Sequence, residues 1–213
     1  MLDLPAPLLG KADTGFLAPE EAKSAAAPGG ALHTLLRWLS TYPISSHAEL
    51  GRPGVVCPFT RPAQKNGAIR VGVETCGELD EAHVVKLIRR GLDALKDIPA
   101  RRGDEHFRTV VIAFPNCGSE TGIAMLERAI KRYKYYCLLH LRTMGLLHPA
   151  SQQPGLWNSD FRPMTAPLPV LVIRYVVEQD ARFIAHHHLQ WGPYLLRYGR
   201  AGARRLAAER RDA

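Results

Sequence analysis

The chain has 213 residues, carries a formal net charge of +8, and is 46% hydrophobic. This length and composition are typical of one globular domain with extensions. No apolar run approaches the roughly 20 residues that cross a bilayer, and the first residues lack the basic and apolar regions of a secretory signal. We therefore expect a cytoplasmic protein without a membrane segment.

The positive charge is concentrated in the arginine-rich segment RYGRAGARRLAAERR, 197–211. A solvated terminal helix is the simpler interpretation, although such a segment can also contact nucleic acid non-specifically. No basic motif interleaved with aromatic residues accompanies it, so we do not expect nucleic acid as a partner. The four cysteines form no CxxC pair, which argues against a zinc finger or a thioredoxin-like motif.

The first half of the chain predicts two helices and one strand. Residues 1–30 are rich in proline, glycine and alanine, and we interpret them as a loose N-terminal extension. Apolar spacing predicts a helix at 31–42, and the density of proline and glycine at 51–67 predicts a loop. An alternating β-branched strand is predicted at 68–75, followed by a helix at 78–98.

The second half predicts two further strands around a long helix. A buried strand is expected at 107–115 and a third strand at 167–178. The helix predicted at 119–147 has Ser119 as a plausible N-cap and Gly145 as a plausible C-terminal stop.

These elements indicate an α/β (or α+β) fold, in which helices pack on a small sheet of at least three strands. A helical pattern resumes near residue 182 and is interrupted by a Gly-Pro pair. We expect one domain over residues 31–199, with residues 200–213 as a basic C-terminal tail.

The connection LLHPASQQPGLWNSDFRP, 146–163, holds the first group of candidate site residues. The proline after His148 excludes helical geometry there, so its imidazole is expected to project from a helix end, where it can bind a metal or act as a base. Trp157 offers an apolar wall, and Asn158 offers donors and acceptors. Arg162 can hold a carboxylate with two hydrogen bonds.

Two further candidates lie in the segments VLVIRYVV and VCPFTRPA. Arg174 interrupts an apolar strand, and a buried arginine is costly without a partner. It either pairs with an internal acid such as Asp160 or holds a ligand carboxylate or a heme propionate. Cys57 could supply a thiolate as a nucleophile or heme ligand, whereas structural packing of Cys57 and Phe59 is the simpler interpretation.

The remaining histidines have weaker signals. His186 and His188 share a face only on a strand, where they could bind a metal together with Asp180 or Glu178. On a helix, three consecutive histidines point in different directions, and an exposed helix turn is the simpler interpretation. We interpret His140, within the long helix, as a core histidine.

Four blocks carry a resemblance to a known family: VCPFTRPA (55–62), GLLHP (145–149), GLWNSDFRPMTAPLPVLVIRYVV (155–177) and YLLRYG (194–199). Together they resemble an uncharacterised domain family of bacterial and fungal proteins. The Cys-Pro-Phe start is also similar to that of the YqcI/YcgG family, whose members include heme-dependent enzymes that oxidise guanidine or hydroxyguanidine nitrogen in specialised metabolism. This second resemblance implies a heme cofactor.

The heme resemblance also implies roles for the candidate residues. His148 or Cys57 would be the axial ligand of the iron, and Arg162 and Arg174 would face carboxylates. We therefore expect a small cytoplasmic enzyme that uses heme to oxidise a nitrogen-containing small molecule, with His148, Arg162 and Arg174 as catalytic residues. The further cofactor contacts would be Phe59, Trp157 and Asn158.

Two alternatives to the heme enzyme stay open. One is a non-heme metal-dependent enzyme that uses His186, His188 and an acid. The other is a non-catalytic protein that binds a small molecule or a partner. Assembly into a homodimer is left open in each case.

Overall fold

This computed structural model describes residues 15–77, 79–185 and 191–210. These residues form a four-stranded mixed sheet with helices on both faces. The predicted α/β class and the single domain are confirmed. The strands are β1 (Ile69–Val73), β2 (Thr109–Ala113), β3 (Arg142–Leu147) and β4 (Val170–Tyr175). The helices are α1 (Pro19–Ala25), α2 (Ala31–Leu39), α3 (Thr60–Lys65), α4 (Glu81–Asp97), α5 (Glu120–Leu139), α6 (Ala181–Ile184) and α7 (Trp191–Glu209).

The strands lie in the order β1-β2-β4-β3. β1 and β2 are parallel, and α4 supplies the crossover that a parallel pair requires. β4 is antiparallel to both of its neighbours. One row across the sheet is formed by Ile69, Thr109, Arg174 and Thr143, and the row at the opposite end is formed by Val73, Ala113, Val170 and Leu147.

Each face of the sheet buries its own set of apolar side chains. α4 and α5 cover one face, and α1 and α2 cover the other. Apolar burial of this kind is the dominant stabilising term in folding. Fully buried examples are Ile88, Leu95, Leu126 and Ile173 on the first face, and Ala22, Leu35, Ile69 and Ala113 on the second.

The predicted helix start at residue 119 is confirmed. The Ser119 hydroxyl accepts a hydrogen bond of 3.2 Å from the backbone N–H of Gly122, which satisfies a donor of the first turn. The turn before α5 packs closely on Gly122, because a Cβ there would lie 2.8 Å from the Cα of Cys117. A glycine is therefore required where this turn approaches the helix.

The C-terminal boundary predicted for the long helix, at residue 147, is wrong. α5 stops at Leu139, and Leu141 adopts a left-handed conformation with φ of 58° that turns the chain back. Residues 142–147 then form β3, an edge strand of the sheet beside β4. Gly145 lies inside this strand and is not a helix stop.

Two further predictions, for the N-terminal segment and for the loop at 51–67, differ from the structure. In the described part of the N-terminal segment, Phe16 is buried and Leu17 pairs with Val71 by two backbone hydrogen bonds of 2.9 Å. α3 lies within the predicted loop at 51–67. The basic tail is helical, as predicted: α7 continues to Glu209 past a kink at Gly199, where φ is 51°, and it buries Leu206. Among the described residues, no helix has both the length and the apolar character needed to cross a membrane.

Candidate ligand groove

A groove of about 400 Å³ opens between the C-terminal halves of α4 and α5 and the first residue of β3. The α4 wall presents Arg89, Asp93 and Lys96, whose spacing of four and three residues places them on one helix face. Buried Leu92 contributes an apolar surface. The Lys96 ammonium donates a hydrogen bond of 2.8 Å to Asp93, and this bond raises the pKa of Lys96.

The α5 wall is a stripe of rings. The centroids of Tyr133 and Tyr136 are 4.8 Å apart, and those of Tyr136 and His140 are 4.5 Å apart. These spacings are typical of tilted aromatic contacts. The guanidinium of Arg89 donates a 2.8 Å hydrogen bond to the Tyr133 hydroxyl and thereby links the two walls.

The end of the groove is closed by a row of side chains on neighbouring strands. Arg142 begins β3 and pairs with Tyr175 of β4. Its guanidinium lies 3.7 Å from the Tyr175 ring centroid and donates hydrogen bonds to the Tyr175 hydroxyl and the His140 carbonyl. Arg108 immediately precedes β2, so the register places it on the other side of Tyr175.

Cationic side chains outnumber acidic ones in the lining of the groove. Arg89, Arg108 and Arg142 form no ion pair within the described residues, and the Nε of Arg108 is buried there without a hydrogen-bond partner. Burial lowers the pKa of the Arg142 guanidinium, and the nearby charge of Arg108 lowers it further. The arrangement can bind an anion, because an anion would compensate the charges of Arg89 and Arg142, which form no ion pair in the described ranges.

His148 lies outside the groove, at the residue that follows β3. The expected position at a helix end is therefore wrong. Its backbone N–H donates a 3.3 Å hydrogen bond to the Met164 carbonyl. Its ring Nδ1 is buried and has no hydrogen-bond partner in the described part of the chain.

Arg174 pairs with an internal acid, but that acid is Asp180 and not Asp160. The two Nη atoms of Arg174 donate hydrogen bonds of 2.8 and 2.7 Å to the two carboxylate oxygens. Burial opposes the charge on Arg174, but Asp180 outweighs it and raises the pKa of the guanidinium. This end of the side chain is therefore occupied by a structural ion pair.

Cys57 and Phe59 come near Arg174, as the heme interpretation requires of residues in one site. The Arg174 guanidinium carbon lies 5.6 Å from the centroid of the Phe59 ring. Cys57 is half-buried and lies close enough to Arg174 to help raise the pKa of its guanidinium.

The other three candidates make contacts within or beside their loop. Arg162 donates hydrogen bonds to backbone carbonyls of its own loop. Asn158 donates a 2.9 Å hydrogen bond to the Glu49 carbonyl. Trp157 is covered by the guanidinium of Arg182, 4.1 Å from the ring centroid.

The structure does not bring His148 and Arg174 together. Leu147 pairs with Val170 and Thr143 pairs with Arg174, so His148 and Arg174 are five residues apart along the antiparallel pair. At 3.4 Å per residue this is about 17 Å. None of the residues of the heme interpretation lines the groove.

The metal interpretation falls partly outside the described residues, because His186 and His188 are not among them. The two acids proposed as co-ligands are engaged elsewhere: Asp180 by Arg174, and Glu178 by Arg205. In the described ranges, no three His, Cys, Asp or Glu side chains form a group that could hold a metal ion.

The sequence interpretation missed the groove. His140 was expected in the core, but it is exposed and lies at the C-terminal end of α5. The available signals were the stripe of Tyr133, Tyr136 and His140 and the cationic face of α4. Neither signal points to a site until β3 places Arg142 between them.

The fold and the groove together define a single-domain α/β protein with a basic, aromatic ligand groove. The family model described as a domain of unknown function (DUF6875) matches residues 32–209. The chain belongs to this family, so the predicted membership of an uncharacterised family is confirmed. No curated protein and no solved structure matches the chain. The resemblance to the YqcI/YcgG heme enzymes is not supported.

Proposed function

We propose that the protein binds a small organic anion in the groove between α4, α5 and β3. One observation carries this proposal: Arg142 lines the groove beside Tyr175, with Arg108 on the other side of that ring, and Arg142 forms no ion pair in the described chain. The like charges of Arg108 and Arg142 repel each other. Partial burial of these side chains weakens the screening of that repulsion by water. A bound anion would relieve both costs.

The geometry of Arg142 supports this role. A guanidinium has five N–H donors in a rigid fork. The contacts of Arg142 with Tyr175 and with the His140 carbonyl use two of them and fix the plane of the fork. The remaining donors can hold an anion with two parallel hydrogen bonds. The groove volume of about 400 Å³ lies in the lower range of small-molecule sites.

Calorimetric titration of the full chain with organic anions at constant ionic strength tests the proposal. The variant Arg142→Lys keeps the charge but loses the fork, and we expect it to weaken binding about tenfold. Arg37→Lys is the matched control, because Arg37 is exposed on α2 and lies outside the groove. Equal affinity in the parent protein and Arg142→Lys would contradict the proposal.

Heme-dependent oxidation of a nitrogen-containing small molecule is a second proposal. Its support is the buried Nδ1 of His148, which has no hydrogen-bond partner in the described chain. Protein expressed with added iron and heme precursor should then show a Soret band that His148→Ala abolishes. A spectrum without that band, even after heme addition, argues against it.

Non-heme metal chemistry, cytoplasmic location and a homodimer are also proposals. Metal analysis of the parent protein and of a variant with both His186 and His188 changed to alanine tests the first. Light scattering after size-exclusion chromatography measures the assembly state.

A further inference from the structure

We infer that the ligand of this groove is a planar aromatic ring carrying one phosphate monoester. The inference rests on the proposed anion binding and names the chemical class of the ligand. It follows from two features of the groove: the excess of charge at its walls and the row of rings along α5.

The charge of the groove favours a dianion. Arg89, Lys96 and Arg142 line it together with a single acid, Asp93, which leaves an excess of two positive charges. Arg108 lies near Arg142 but does not line the groove, and its charge also meets that of Glu105. A phosphate monoester carries a charge of about −1.5 to −2 near pH 7, whereas a carboxylate carries −1. The phosphate therefore compensates the walls more completely.

The ring stripe favours a flat ligand. Tyr133, Tyr136 and His140 succeed one another along α5, and the residue Tyr136 is 45% exposed. An exposed aromatic face beside cationic groups is a surface on which another ring can stack. Arg142 adjoins His140 at one end of this stripe, so a phosphate held by Arg142 would leave its ring against Tyr136.

The probes separate the two features. Inorganic phosphate has the charge without a ring, benzoate has a ring with a single charge, and phenyl phosphate has both. Stacking of one ring contributes about 1–3 kcal/mol, which is at least about fivefold in affinity. We expect phenyl phosphate to bind the full chain about tenfold more tightly than either of the other probes at constant ionic strength. Adenosine monophosphate, if it binds more tightly still, assigns the ring to a nucleotide, and if more weakly, to a simple aryl phosphate.

A pair of neighbouring tyrosines supplies the variants. Tyr136→Ala removes a ring of the groove and should bring the affinity for phenyl phosphate to within about twofold of that for inorganic phosphate. Tyr135→Ala removes a ring that is 49% exposed and does not line the groove, so it should leave both affinities unchanged. Both side chains are about half exposed, so neither change should unfold the chain.

The outcomes are distinguishable. If benzoate binds as tightly as phenyl phosphate, the inference that the ligand is a dianion is wrong. If inorganic phosphate binds as tightly as phenyl phosphate, the inference that the ligand carries a ring is wrong. In both cases the proposed anion binding stands. Equal losses in Tyr136→Ala and Tyr135→Ala would also overturn the ring. If none of the probes binds, both the inference and the proposed anion binding fail.

Discussion

At the scale of single residues, Asp180 neutralises the guanidinium of Arg174. The side chains of Asp180 and Arg174 are 6% and 23% exposed, so loss of the Asp180 carboxylate would leave the charge of Arg174 partly buried without its partner. Asp180 also accepts a 2.8 Å hydrogen bond from the backbone N–H of Val177. We expect Asp180→Asn to lower the free energy of unfolding by about 3 kcal/mol, measured by urea denaturation.

An exposed ion pair provides the control for Asp180. Glu20 and Lys23 are 2.8 Å apart, with side chains that are 81% and 58% exposed. Glu20→Gln should change the free energy of unfolding by less than about 1 kcal/mol. Similar losses in Glu20→Gln and Asp180→Asn would contradict the structural role of the buried pair.

The cysteines should differ in reactivity, because a thiol reacts through its thiolate. Burial raises the pKa of Cys137 to about 12 and also raises the pKa of Cys117. Cys76 is exposed. Treatment of the folded protein with iodoacetamide at pH 8, followed by peptide mass spectrometry, should show Cys76 modified and Cys137 unmodified. Labelling of Cys137 as fast as Cys76 would contradict its burial.

Some residue contacts were predictable from the sequence. Ser119 precedes an apolar helical pattern, which is a local signal for a helix cap, and the structure has that cap. The need of Arg174 for an internal acid was also predictable from its apolar strand. The identity of the acid was not, because the turn after β4 brings Asp180 back, and no local pattern distinguishes it from Asp160.

At the scale of elements, the boundary between α5 and β3 shows where periodicity fails. The apolar residues of CLLHLRTMGLL suit a helix as well as a strand. The strand is preferred because β4 offers a pairing edge and because Leu141 reverses the chain. Pairing with residues 170–175 is a long-range interaction, and a local pattern does not contain it.

Gly122, in the first turn of α5, is the subject of a second prediction. A methyl group on Gly122 would lie 2.8 Å from backbone atoms of Cys117, which have little freedom to move. We expect Gly122→Ala to lower the free energy of unfolding by about 2 kcal/mol, as overpacking does. Thermal unfolding followed by circular dichroism measures it.

Gly192 of α7 is the matched glycine. A Cβ there meets nothing within 4 Å, so Gly192→Ala should change the stability by less than about 0.5 kcal/mol. If Gly122→Ala lowers the stability no more than Gly192→Ala, the backbone of Cys117 does not pack as closely on Gly122 as the structure shows.

At the scale of the whole molecule, the basic C-terminal segment belongs to the fold. Leu206 is 4% exposed and packs in a cluster with Leu138, Val176 and Tyr194. We expect Leu206→Ala to cost about 3 kcal/mol of unfolding free energy, as for other buried leucines. Leu196 is 90% exposed, so Leu196→Ala should be nearly neutral. Equal effects in chemical denaturation would mean that the segment does not pack on the domain.

The sequence predicted the α/β class and three of the four strands, because their apolar patterns are local. It did not predict the groove, because Arg89, Tyr136 and Arg142 belong to three elements and converge only through the sheet register. His148 and Arg174 were expected in one pocket because nothing in the chain reveals that they lie at opposite ends of β3 and β4.

Localising the bound anion tests the central claim most directly. The groove must be distinguished from the arginine-rich segment 197–210, which could also attract phosphate. Backbone amide NMR of the isotope-labelled full chain, titrated with phenyl phosphate, should show saturable shifts centred on Arg89, Tyr136 and Arg142. Shifts centred on residues 197–210, or no saturable shifts, would contradict the account.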